Sequence, residues 1–103
     1  MPLIALSSRR PQPPGHLSER ARGLWKAVIP SDGISAGRLA LLQTALEALD
    51  RADGARELIA REGMVTTTGR SGVAHAHPAV KIERESRALF AKLWHDLDQY
   101  LDM

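Results

Sequence analysis

Apolar residues recur at helical spacing in three separate stretches of this 103-residue chain. In the first, Leu17, Ala21, Leu24, Trp25, Val28 and Ile29 fall on one stripe when positions are advanced by about 100° per residue. Arg22, Lys26 and Glu19 take the opposite face. Ser18 is an N-cap residue and Pro30 a stop, so a helix is predicted from Ser18 to near Ile29. Ser31-Asp32-Gly33 then reads as a turn. The second stretch starts around Ser35 and is rich in alanine and leucine, both strong helix formers. Leu39, Leu42, Leu46 and Leu49 form its stripe, but the phase is lost at Asp53-Gly54, and Leu58 and Ile59 point elsewhere. Either Gly54 kinks the helix or two of its faces are buried against different neighbours. The pattern favours a single helix to about Glu62, with Gly63 as the residue just beyond it.

The third stretch has the strongest pattern. Pro78 is a natural first helical residue, preceded by His77, and the helix is predicted to run to about Leu101. Ile82, Ser86, Leu89, Phe90, Leu93, Trp94, Leu97, Tyr100 and Leu101 make a stripe roughly 140° wide. Between the second and third helices, Met64-Val65-Thr66-Thr67-Thr68 is rich in β-branched residues, and Gly69-Arg70-Ser71-Gly72 precedes Val73. This predicts a small hairpin with a four-residue turn, a loop being the alternative. A lone hairpin is marginal in water, so it needs helices to pack on. The expected fold class is therefore mainly α: three helices, with a short β-hairpin or loop between the second and third. Pro11, Pro13 and Pro14 remove backbone donors and fix φ, so residues 1–16 are expected to be a flexible or extended arm. Residues 17–103 are expected to form a single helical domain.

Composition changes this picture little, and charge rather more. An apolar share of 44% and a charged share of 25% are ordinary for a globular domain. With no cysteine, neither disulfides nor thiolate chemistry are available. Met1 to Leu6 has no basic residue ahead of its apolar ones, and no run approaches a membrane span, so the cytoplasm is the expected compartment. The formal charge is +2. The excess resides in the arm, through Arg9 and Arg10, and in Arg70 of the connection; seven bases and seven acids cancel over residues 17–63, and four bases against five acids in residues 78–103 take one charge back.

Candidate chemistry is thin. His75 and His77 are two residues apart, with His16 and His95 distant in sequence, which is not the i, i+4 pairing of a helical zinc site. Carboxylates are scattered at helix-surface spacing, as Glu57 is from Arg61. Gly69-Arg70-Ser71-Gly72 lacks the Lys-Ser/Thr of a phosphate-binding loop. No catalytic residue, cofactor or metal ligand is expected. Trp25 and Trp94 read as core. The stripe of the third helix is more informative, because two neighbouring helices cannot hide all of it. Leu89, Phe90, Leu93, Trp94, Leu97 and Leu101 are expected to form an oligomer interface, against the alternative that all of them lie in an intramolecular core.

The order of these features resembles the terminase small subunit family of tailed bacteriophages, in the branch whose last helix follows a His-Pro pair. The features are a Pro-rich basic start, a helix with Ala21 and Trp25, and a long Ala/Leu helix through Leu39, Leu42, Ala48 and Leu49 ending Arg61-Glu62-Gly63. A Thr/Gly-rich connection follows, and then His77-Pro78 opens a helix with Glu83, Arg87 and Leu93. The resemblance covers roughly residues 9–100. It implies a mainly helical homo-oligomer of more than four subunits, a ring, that recognises double-stranded viral DNA. It also implies delivery of that DNA to a large terminase subunit carrying the packaging ATPase and nuclease, in the host cytoplasm, with no catalytic residues of its own. Family members commonly continue past the last helix with a glycine turn and a basic tail, whereas this sequence ends Asp102-Met103, so either the tail's role is expected to be weakened or the N-terminal arm is expected to take it. Arg9, Arg10, Arg22 and Lys26 are the residues expected to neutralise phosphates, and a ring would multiply each contact. No aromatic interleaving points to base stacking, so backbone contact is expected. The rival readings are a dimeric helix-turn-helix regulator and a small enzyme centred on His75 and His77. The regulator is disfavoured because the second helix opens Ser35-Ala36-Gly37-Arg38 and then turns apolar.

Overall fold

The structure is a computed structural model that describes residues 10–67 and 72–101, the side chains of Thr67, Tyr100 and Leu101 excepted. Three helices and one hairpin follow in the expected order: α1 (Glu19–Val28), α2 (Ala36–Glu62), β1 (Val65–Thr67), β2 (Ala74–Ala76) and α3 (Pro78–Leu101). Local signals set the boundaries. The Ser18 hydroxyl accepts from the Ala21 amide at 3.0 Å, and α1 stops at Ile29 ahead of Pro30. The Ser35 hydroxyl does the same for the Arg38 amide at 3.3 Å. At the far end of α2, Gly63 has a φ of +87° while its N–H still reaches the Ile59 carbonyl, a conformation that favours glycine.

The lost phase of α2 has a simple cause. It is one continuous helix of 27 residues, and it buries two faces. Leu42, Leu46 and Leu49 join Leu17, Ala21, Trp25, Ile29, Ile34 and Leu97 in the main core, where α1 meets the first half of α2 and the last half of α3. Ala45, Ala48, Ala52 and Ala55 are also buried, on a face about 100° further round. Arg51 and Arg56 bracket that second face and reach Ser86 and Glu83 of α3. The alanine face is thus the seat of α3, and its small side chains let the two long helices run close together. Gly54 sits on the outside of the helix and does not interrupt it.

The connection between α2 and α3 is the hairpin. β1 and β2 pair antiparallel, with Val65 opposite Ala76, Thr66 opposite His75 and Thr67 opposite Ala74. The residues between Thr67 and Gly72, Arg70 among them, lie outside the described residues. The hairpin is fastened to α3 through its base. His77 donates its backbone N–H to the Met64 carbonyl at 2.8 Å, and its Nδ1 accepts from the Ala79 amide at 3.0 Å. An accepting Nδ1 leaves the ring proton on Nε2, which donates to Glu62 Oε1 at 2.8 Å. The buried imidazole therefore caps α3 and ties it to the end of α2 at once.

The resulting molecule is long, at 62 × 24 × 18 Å. Its radius of gyration, 17.6 Å, exceeds the roughly 13 Å of a compact chain near this length. The reason is that α1 covers only one half of the α2–α3 pair, and the other half ends in the hairpin.

That asymmetry redistributes the apolar stripe of α3. Leu97, expected at an oligomer interface, is 1% exposed and belongs to the intramolecular core. Phe90 and Trp94 also pack against that core, their rings 5.2 Å apart, and Leu93 is half-buried. Only Leu89 of the six expected residues is an exposed large apolar side chain; Leu101 falls among the side chains not described. The other exposed large apolar side chains among the described residues are Met64, Val65, Val73 and Ile82, all at the hairpin end. Periodicity could not separate them, because the part of the stripe left open depends on how far α1 reaches.

Candidate nucleic-acid interface

The four cationic residues expected to contact an anionic partner have separate roles in the structure. Arg9 lies outside the described residues. Arg10 is exposed at the start of the arm. The arm lies against α1 without regular structure as far as Pro14, and a turn at Gly15 and His16 leads into the helix. Trp25 Nε1 donates to the Pro11 carbonyl at 2.8 Å, and the Leu17 amide donates to the Pro14 carbonyl at 3.2 Å. His16 Nε2 meets Glu47 of α2 at 2.7 Å. Trp25 is thus core, as expected, while its ring N–H fixes the arm.

Arg22 reaches back to its own backbone. It is half-buried, and its Nη1 donates to the carbonyls of Leu17 at 3.0 Å and Gly15 at 3.3 Å. It holds the turn from arm to helix. Only that one nitrogen is engaged, and Arg22 is not among the residues that line the groove formed by Arg10 and Lys26.

Arg10 and Lys26, sixteen positions apart in sequence, come together. They line one groove with Pro11, Gln12, Pro13 and Ile29, a cavity of about 360 Å³ with no acidic side chain in its wall. Both are exposed, and neither has an acid within ion-pair reach among the described residues. The proline walls are rigid, so the groove needs little ordering to receive an anion.

A second charged feature was not foreseen. Arg20 of α1, Asp53 of α2, Arg87 and Glu83 of α3, and Arg56 of α2 form one continuous ionic row. Its successive contacts are 3.0, 3.3, 3.2 and 3.1 Å. In sequence these residues sit in stretches where bases and acids nearly cancel, so counting charges along the chain hides them. Near the arm, the Glu47 carboxyl is held below the usual carboxylate range by hydrogen bonds from Gln43 and His16.

The histidines do not assemble. His75 is exposed on β2, whereas His77 is buried and committed to its cap. Among the described residues no group of three metal-ligating side chains comes together. No helix among them is long and apolar enough to cross a membrane. No family model matches the chain, and neither a curated protein nor a solved structure matches it.

Proposed function

We propose that this chain is a non-catalytic, DNA-presenting subunit of a phage-type packaging terminase. It binds double-stranded DNA as an oligomer and delivers it to a large subunit that carries the ATPase and nuclease. The order of sequence features is the source of the family reading. The observation that carries the DNA part is the meeting of Arg10 and Lys26 in one acid-free groove. Two cations held side by side on a rigid wall suit successive backbone phosphates, which supply most of the affinity in sequence-independent binding. Each chain offers only a few such contacts, and an oligomer repeats them, so a net charge of +2 per chain suffices.

The test is fluorescence anisotropy with a labelled duplex between about 50 and 200 mM salt, the range over which counter-ion release is steep. Binding should fall steeply with salt and vary little with sequence. Arg10→Gln with Lys26→Gln should reduce the log–log slope by about 1.8 for each chain seated on the duplex, at about 0.9 per phosphate. Absence of binding at low salt removes the proposal.

A further inference from the structure

The ionic row has a floor and a rim. Its carboxylates are the less exposed members, with the Glu83 and Asp53 side chains 16% and 29% exposed, while the Arg87, Arg20 and Arg56 side chains are 41%, 62% and 72% exposed. Each arginine engages the carboxylates through one terminal nitrogen: Nη1 of Arg20, Nη1 of Arg56 and Nη2 of Arg87. A guanidinium has five N–H donors, so most donors in the row are committed to no acid. Three arginines stand over two carboxylates. Arg84, exposed and without an acidic partner among the described residues, lies three positions before Arg87 on the same side of α3.

We propose that this row is a second phosphate track, continuous with the Arg10–Lys26 groove across the outer face of α1, so that one duplex backbone lies along both. The inference rests on the nucleic-acid reading above and adds the path. Three observations carry it. The outer members of the row, Arg20 and Arg56, present their guanidinium groups to solvent. The same carboxylates fix the guanidinium heads in place, which lowers the ordering cost of receiving an anion, and the arginine fork fits phosphate oxygens. The ground between the two sites is bare. Gly23 and Ala27 are exposed on α1 between Lys26 and Arg20, and nothing lies within 4 Å of where a Cβ on Gly23 would sit. The fold has no packing need for that glycine, and its absent side chain lets a backbone approach closely. Glu19 is the acid on this face, at its end.

Salt-dependent anisotropy on the full chain with the same duplex tests the path. Arg20→Gln with Arg56→Gln should flatten the slope by about 1.8 per seated chain. Arg61→Gln, a cation outside the row, should leave it unchanged. Should a variant fail to fold, modification of the unmutated chain with phenylglyoxal, with and without duplex, gives the answer: Arg20 and Arg56 become protected. If the unmutated chain binds duplex but neither the slope nor the protection of Arg20 and Arg56 changes, the path is overturned and the terminase reading stands. If the unmutated chain does not bind, the reading itself fails.

Discussion

Asp50 of α2 grips Ser18 twice, accepting the Ser18 backbone N–H at Oδ2 and its hydroxyl at Oδ1, while the Ser18 oxygen caps α1 through the Ala21 amide. One carboxylate therefore sets both the start of α1 and its position on α2. Asp50→Ala should lower the unfolding free energy by about 1–2 kcal/mol, from a lost charged hydrogen bond and a weakened cap. Urea denaturation measures the loss, and hydrogen exchange should place it in the α1 amides. Unchanged protection of α1 would contradict the arrangement.

The His77 cap offers a sharper comparison. His77→Ala removes the acceptor for the Ala79 amide and should cost on the order of 1 kcal/mol. Asn at the same position can accept that bond and should recover most of the loss, although it gives up the contact with Glu62. Thermal unfolding ranks the variants. Equal stability of His77→Ala and His77→Asn would show that the imidazole does not act as a cap.

The two faces of α2 respond oppositely to added methyl groups. Ala52 is fully buried on the face that seats α3, so Ala52→Leu should force the helices apart and cost about 1–3 kcal/mol. Gly54 is exposed, with nothing within 4 Å of where its Cβ would sit, and Gly54→Ala should stabilise the helix by about 0.5–1 kcal/mol. Denaturant midpoints read both signs. A destabilised Gly54→Ala would mean that the glycine has a packing role the structure does not show.

Glu47 gives the fold a pH dependence of known sign. Its folded-state pKa is depressed, chiefly by Gln43 and then by His16. Its stabilising contribution is therefore present above the ordinary carboxylate range and is lost as the pH falls through the lowered value. Because the side chain is 37% exposed, the effect is small and weakened by salt. The stability gap between the unmutated chain and Glu47→Gln should narrow from pH 6 to about pH 3, below the usual carboxylate values. A gap independent of pH would remove the Glu47 contacts from the account.

Self-association should depend on the open end of the helix pair and not on the centre of the α3 stripe. Ile82→Ser with Leu89→Ser alters exposed side chains and should lower the subunit count with the helix content kept. Leu97→Asp places a charge in the core and should unfold the chain. Light scattering after size exclusion, paired with circular dichroism, separates the outcomes. A clean monomer for the unmutated chain at micromolar concentration would end the oligomer proposal.

The sequence by itself determined what is local. Ser18, Ser35, Pro30, Gly63 and the His77-Pro78 pair punctuate the helices through bonds and φ angles made within a few residues, so all three helices were legible, and the hairpin was one of two alternatives beside a loop. It also showed that the leucine phase of α2 breaks, with a Pro-rich segment ahead of α1. Only the tertiary structure decided which neighbour each face meets. The alanine face of α2 carries no strong periodic signal of its own, because alanine reads as a helix former whether buried or exposed, yet it seats α3. The half-length coverage by α1 sends Leu97, Phe90 and Trp94 inward and leaves Ile82 and Leu89 open. Charge behaves in the same way. Arg22 and Lys26 look alike along the chain, but one donates to its own backbone and the other meets Arg10 across a fold of sixteen residues. Arg20, Arg56 and Arg87 cancel against acids when counted along the sequence. In space they stand outside those acids, because a long arginine carries its charge to the surface while the shorter carboxylates stay between the helices.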